Sequence, residues 1–129
     1  EWSDTRVLRV QPGDDGTFTR LGPAVERDTG DPRTLASFVS GVFRKFPARR
    51  HAVILWDHGG AWTGMCVDEN APGQKQTTQL GLAGIRSGLS TALQTSGVLK
   101  LDLLGFDACL MAQLDVALTV HDLADSMVA

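Results

Sequence analysis

The sequence predicts a layered α/β domain built on a mostly parallel sheet flanked by helices. Short apolar runs, too brief to be helices, alternate with segments of helical period. Each helical segment lies between two candidate strands, as parallel pairing requires. The 129 residues suffice for one buried core and are too few for two.

The elements follow in order. Residues 5–10, Thr-Arg-Val-Leu-Arg-Val, alternate imperfectly as a strand. The turn formers from Pro12 to Gly16 then lead into Thr17 to Leu21, which can pair back as a hairpin. Asp31 is placed to cap a helix whose first position is Pro32. Leu35, Phe38, Val39, Val42, Phe43 and Phe46 form an apolar stripe of helical period, so a helix is expected over 32–46, stopped by Pro47. Ala52 to Trp56 is short and apolar on both faces, the pattern of an interior parallel strand. Residues 59–79 have no clear period and are expected as a long loop. Leu82, Ile85, Leu89, Ala92 and Leu93 mark a second helix, weakened by Gly84 and Gly88 and closed near Gly97. Leu101 to Phe106 is a further apolar strand. Leu110, Leu114, Ala117 and Leu118 are expected to begin a third helix, opening at Cys109 and running to about Ala124, with Ser126 to Ala129 starting one more strand.

Composition removes several functions. The formal net charge is -3 with mixed signs, and the basic residues are scattered apart from Arg44-Lys45 and Arg49-Arg50, so no nucleic-acid partner is expected. No apolar run approaches the roughly 20 residues of a membrane span, and the N-terminus has no signal-peptide pattern. Cys66 and Cys109 are too few for a disulfide framework or a four-cysteine zinc site. Together with His51 and His58 they lack metal-ligand spacing, so no metal site is expected.

In an open parallel sheet, ligands sit beyond the carboxyl ends of the strands. His58 follows one such strand by two residues and Cys109 follows the next by three. One helix connects them, which permits a right-handed crossover and adjacent parallel strands about 4.8 Å apart. An imidazole and a thiol 51 positions apart (109 − 58) can therefore face each other across one cleft. Nucleophilic catalysis needs this pairing, because the thiolate attacks and a nearby histidine generates or stabilises it. The amide of Gly59, unobstructed by a side chain, can join that of Cys109 in holding an oxyanion. A helix opening at Cys109 would add its positive end.

The ordinary roles of these residues stand beside the catalytic ones. A cysteine at a strand end also serves as buried filler, and a histidine there as a structural group. Asp107 by default caps the third helix, and Asp57 is a solvated strand end. Cys66, His51 and His121 fit structural or surface positions. Trp56 and Trp62 fit packing, although Trp62 can also wall the cleft.

Ile-Leu-Trp-Asp-His-Gly-Gly-Ala-Trp at 54–62, with Leu-Leu-Gly-Phe-Asp-Ala-Cys-Leu-Met-Ala at 103–112, resembles the clostripain family of cysteine peptidases, relatives of caspases, gingipains and legumains. Gly30 to Leu35 and Trp2 to Arg6 also look like that family. The resemblance implies a caspase-like fold in which His58 is the catalytic histidine and Cys109 the nucleophile. It further implies a dyad with no essential role for Asp57, and an S1 acid at Asp107 that favours a P1 Arg or Lys. Some family members mature by cleavage after a basic residue between the two segments, which makes Lys75 the processing candidate. No cofactor is expected; the resemblance allows calcium, but no ligand motif in the sequence supports it, and a secreted or cell-envelope location is implied by the resemblance alone. The family domain has a strand and helix ahead of the hairpin and a continuation beyond Val128, so the chain is expected to be an internal part of a larger domain and to need its remainder as a partner. The expected activity is endopeptidase action on proteins or peptides. The alternative is a non-catalytic caspase-like fragment or pseudoenzyme acting as an interaction module. A small-molecule-binding α/β domain is disfavoured, because no glycine-rich phosphate loop follows any strand.

Overall fold

A computed structural model of the chain describes residues 4–11, 13 and 16–129. Trp2 and Ser3, and most of the turn expected from Pro12 to Gly16, lie outside the described residues. Two short strands, β1 (Leu8–Val10) and β2 (Phe18–Arg20), pair antiparallel as the expected hairpin. They form a sheet of their own and do not join the parallel one.

The helix α1 (Pro32–Lys45) begins as its sequence dictates. Asp31 accepts a hydrogen bond from the Arg33 amide at 2.8 Å, Pro32 fills the first turn, and the Arg33 guanidinium holds the Asp31 carboxyl below the usual carboxylate range. Leu35 and Val39 are buried, whereas Phe38 is 51% exposed, so the buried stripe is narrower than the apolar one. The helix α2 (Leu82–Ser96) buries Ile85, Leu89, Ala92 and Leu93, and Gly97 closes it in the left-handed conformation at φ 74°. Gly88, unfavourable by propensity, sits where α1 passes: a Cβ there would lie 2.9 Å from the Pro32 carbonyl oxygen and 3.0 Å from Leu35 Cδ2. The missing side chain is what lets the two helices close on each other.

Three strands form the parallel sheet, in the order β3 (Ala52–Trp56), β6 (Leu101–Asp107), β7 (Ala124–Val128). Val53, Leu55, Leu104 and Phe106 meet α1 and α2 in one core, which the helix α3 (Leu114–Val120) joins through Val116 and Val120. Strand side chains alternate between faces, so Ile54 and Trp56 turn away from that core. They are 57% and 79% exposed, and Val128 is 61% exposed. This corrects the expected interior position of β3: among the described residues it is an edge strand, paired only with β6 and packed on one face.

Two further expectations change. Residues 59–79 are not a featureless loop but hold a 3-10 turn (Ala61–Thr63) and an antiparallel hairpin of β4 (Met65–Asp68) and β5 (Thr78–Leu80). The hairpin is tied to the segment before α1, where the Thr78 hydroxyl donates to Asp28 and the Thr29 amide donates to Asp68 at 3.0 Å. The third helix starts at Leu114, not Cys109, and ends at Val120, leaving Ala124 to open β7. Arg86 on α2 holds this turn by donating to the Thr119 carbonyl and to Asp122, which keeps the Asp122 carboxyl at about 2. Among the described residues no helix is long and apolar enough to cross a membrane.

The two helical glycines give opposite expectations. Gly88→Ala gains helix propensity but drives a Cβ into backbone, and overpacking of this kind costs about 1–3 kcal/mol. Gly41→Ala on α1 meets nothing within 4 Å and should stabilise by about 0.5–1 kcal/mol. Urea unfolding of the two variants should shift the midpoint in opposite directions; a midpoint raised by Gly88→Ala would contradict the packing.

Candidate active site

The register of β3 on β6 runs from Ala52 opposite Leu103 to Trp56 opposite Asp107, an offset of 51. Counted two residues past both strands, the same offset relates His58 to Cys109 (58 + 51 = 109), and the backbone there stays close, Gly59 lying against the Cys109 carbonyl. Cys109 is thus two residues beyond its strand, one fewer than expected, because β6 extends to Asp107. Trp56, Asp57, His58, Phe106, Asp107, Ala108, Cys109 and Ala129 line one open cleft of about 770 Å³ at this edge. His58, Asp107 and Cys109 are exposed to it.

The imidazole and the thiol share this cleft without a bond to fix them: among the described residues neither side chain has a hydrogen-bond partner. Catalytic hydrogen bonds commonly tighten only when substrate is bound. The Asp57 carboxylate accepts from the His58 backbone amide at 2.6 Å and is half-buried. It is engaged with main chain rather than with the His58 ring.

Gly59 has a sharper structural reason than the sequence supplies. A Cβ at this position would land on the Cys109 carbonyl oxygen and lie 2.9 Å from Met111 Cγ. Only glycine lets the chain after His58 pass this close to the turn that carries Cys109. Among the described residues the Gly59 and Cys109 amides donate to no protein acceptor.

Several expected contributions are absent from the geometry. Because α3 begins at Leu114, its positive end is not at Cys109, and Asp107 does not cap it. Cys109 instead occupies a turn followed by Leu110 at φ 62°, a left-handed conformation unfavourable for a leucine. Ala61 and Cys66, at φ 56° and 55°, repeat this strain in the segment after β3. Strained backbone of this kind marks functional turns but leaves no sequence signal when the residue is Ala or Leu. Trp56 was expected to pack and instead lines the cleft, while Trp62, 71% exposed, does not. His51 lies at the start of β3, its ring 4.5 Å from Phe43, so the His51, His58, Cys66 and Cys109 set is not brought together. His121 is on the surface against the Leu118 carbonyl. Lys75 lies at the exposed tip of the β4–β5 hairpin.

A family model, described as the clostripain family, matches residues 8–129. The chain belongs to the clostripain family. Its fold recurs in solved structures of low identity. One is a secreted C11 cysteine protease from Bacteroides thetaiotaomicron in complex with an irreversible peptide inhibitor, at 19% identity and a TM-score of 0.80 over 97% of this chain and 34% of that one. A second structure, of the C11 protease called iotapain from the same organism, gives 20% identity and a TM-score of 0.72 over 97% of this chain and 37% of that one. An inactive zymogen C11 protease from Parabacteroides distasonis gives 20% identity and a TM-score of 0.61, covering 95% and 33% of the two chains. This clostripain-family chain therefore spans about a third of the length of the solved chains it matches. No curated protein matches it.

The two thiols should separate chemically. Burial, reinforced by the Asp57 charge, pushes the Cys66 thiol up from 9.0 to about 11, which cuts its thiolate fraction near neutral pH roughly 100-fold. Iodoacetamide at pH 7 should alkylate exposed Cys109 and leave Cys66 unmodified until the chain is unfolded. Equal rates at the two residues, read by peptide mass, would contradict the burial of Cys66.

Proposed function

We propose that this chain carries the histidine and cysteine segments of a cysteine endopeptidase that cleaves after Arg or Lys. The observation that supports this reading is the parallel β3–β6 pairing, whose carboxyl ends lead into one cleft lined by both His58 and Cys109. His58 takes the proton from the Cys109 thiol, and the thiolate attacks the scissile carbonyl carbon. The Gly59 and Cys109 amides hold the oxyanion of the tetrahedral intermediate. The His58 imidazolium then protonates the departing amine, leaving an acyl-enzyme on Cys109. A water molecule, losing its proton to His58, hydrolyses that thioester and restores the thiol. Asp107 is the acid that receives a cationic P1 side chain. The rest of the peptidase domain completes the site, a reading supported by the exposed sheet face and by the third of the matched chains that this one spans.

In the full-length parent, Cys109→Ala and His58→Ala should each lower kcat/KM for a P1-Arg peptide by roughly ten-thousand-fold. Asp57→Asn should leave it near the parental value, because the amide oxygen can still accept from the His58 backbone. Asp107→Asn should selectively remove cleavage after basic residues. Peptidase activity that survives Cys109→Ala in a folded parent would overturn this mechanism, whereas a folded parent with no peptidase activity would leave the interaction-module alternative standing.

Lys75 is proposed as a maturation site. The hairpin strands on either side of it stay paired through Met65–Leu80, Val67–Gln79 and Asp68–Thr78, so a cut at Lys75–Gln76 leaves both fragments docked. Peptide mapping of the active enzyme should find that bond cleaved; an intact bond in fully active material removes the proposal.

A further inference from the structure

The register that places His58 beside Cys109 has a second product one step down the same strands. Trp56 is paired directly with Asp107, and both line the cleft. The indole is 79% exposed, although it sits in a run whose neighbours Val53 and Leu55 are buried. One more step down, Ile54 is paired with Gly105, and its Cδ1 occupies the space where a Gly105 Cβ would be. The exposed face of the sheet therefore presents the aliphatic Ile54 lying over Gly105 next to the cleft, and an indole and a carboxylate paired within it. Among the described residues the Asp107 carboxylate has neither an ion pair nor a hydrogen bond.

An arginine side chain needs these three features together. Its methylene stem covers apolar surface, its planar guanidinium stacks on an aromatic face, and its N–H fork donates to a carboxylate. We propose that Trp56 is a specificity-determining residue of the peptidase, forming the aromatic wall of the pocket that takes the P1 side chain and favouring Arg over Lys. The inference rests on the proposed basic-P1 endopeptidase activity and adds a residue to it. Asp107 alone offers charge and serves an ammonium as well as a guanidinium. The indole discriminates, because a planar delocalised cation gains more from stacking than a compact, strongly hydrated one. Gly105 keeps Ile54 in its place beside this row, because any side chain there would displace it.

The test uses the full-length enzyme and three fluorogenic peptides that differ only at P1: Arg, Lys and citrulline, the uncharged analogue of Arg. Trp56→Leu, which keeps the position apolar, should lower kcat/KM for P1 Arg by roughly 3- to 30-fold through KM, lower it less for Lys, and leave citrulline unchanged. Trp56→Phe should recover most of the Arg preference. The rate of Cys109 alkylation by iodoacetamide should match the parent in both variants, showing an undisturbed nucleophile. An equal fall for all three peptides assigns Trp56 to packing and overturns the proposal, as does an unchanged Arg-to-Lys ratio in Trp56→Leu. If the parent itself cleaves Arg and citrulline peptides equally well, the basic-P1 reading fails first and the Trp56 role falls with it. That case is recognised from the parent alone, before any variant is compared.

Discussion

The parallel pairing of β3 with β6, in one register, is the constraint on which the rest of the site depends. Strand side chains alternate with a period of two, so a slip of one residue would turn His58 toward the opposite face from Cys109 and separate Trp56 from Asp107. The register is pinned at both ends. Where the strands begin, the His51 amide donates to the Asp102 carboxylate at 2.7 Å and the Asp102 amide donates to the His51 carbonyl at 2.8 Å. Where they end, Gly59 lies against the Cys109 carbonyl with no room for a side chain. Between these points Val53 and Leu55 lie beside Leu104 and Phe106 under the helices, and apolar burial penalises any shift.

The loops at the carboxyl edge are held both from below and by one another. The segment after His58 runs into β4, whose hairpin is anchored to the loop before α1 by Asp28 with Thr78 and by Thr29 with Asp68. The turn bearing Cys109 has no helix of its own beneath it, and the left-handed Leu110 takes the place of a smooth entry into α3. Strain at such a turn persists only when neighbouring structure fixes it. Here the neighbours are Gly59 and Met111, the latter fully buried. The thiol of Cys109 is thereby left exposed, while burial pushes the thiol of the half-buried Cys66 up to about 11.

Most of the fold's order was legible because its signals are local. Asp31 and Pro32 announce α1, Gly97 closes α2, and the apolar brevity of Ala52–Trp56 and Leu101–Asp107 distinguishes strands from helices. The errors have equally specific causes. Leu110 continues the apolar spacing of Leu114 and Leu118, so periodicity extends the third helix over a turn that φ 62° forbids it to enter. The β4–β5 hairpin is hidden because a bulge between Met65 and Val67 breaks the alternation that would reveal it. Trp56 looks like packing because a tryptophan at the end of an apolar strand carries no mark of which face is covered.

The sequence by itself determined the chemistry available and its address: an imidazole, a thiol and a carboxylate, each just beyond or at the end of a short apolar strand, with glycine following the histidine. Spacing of this kind is a property of the chain and can be read along it. Tertiary structure alone decided that 51 positions of separation equal the register offset of two parallel strands. It also decided that helices cover one face of the sheet, which exposes Trp56 beside Asp107 instead of burying it. Pairing register and face selection depend on what packs against each strand, and that information is shared among residues too far apart in sequence for any local pattern to carry it.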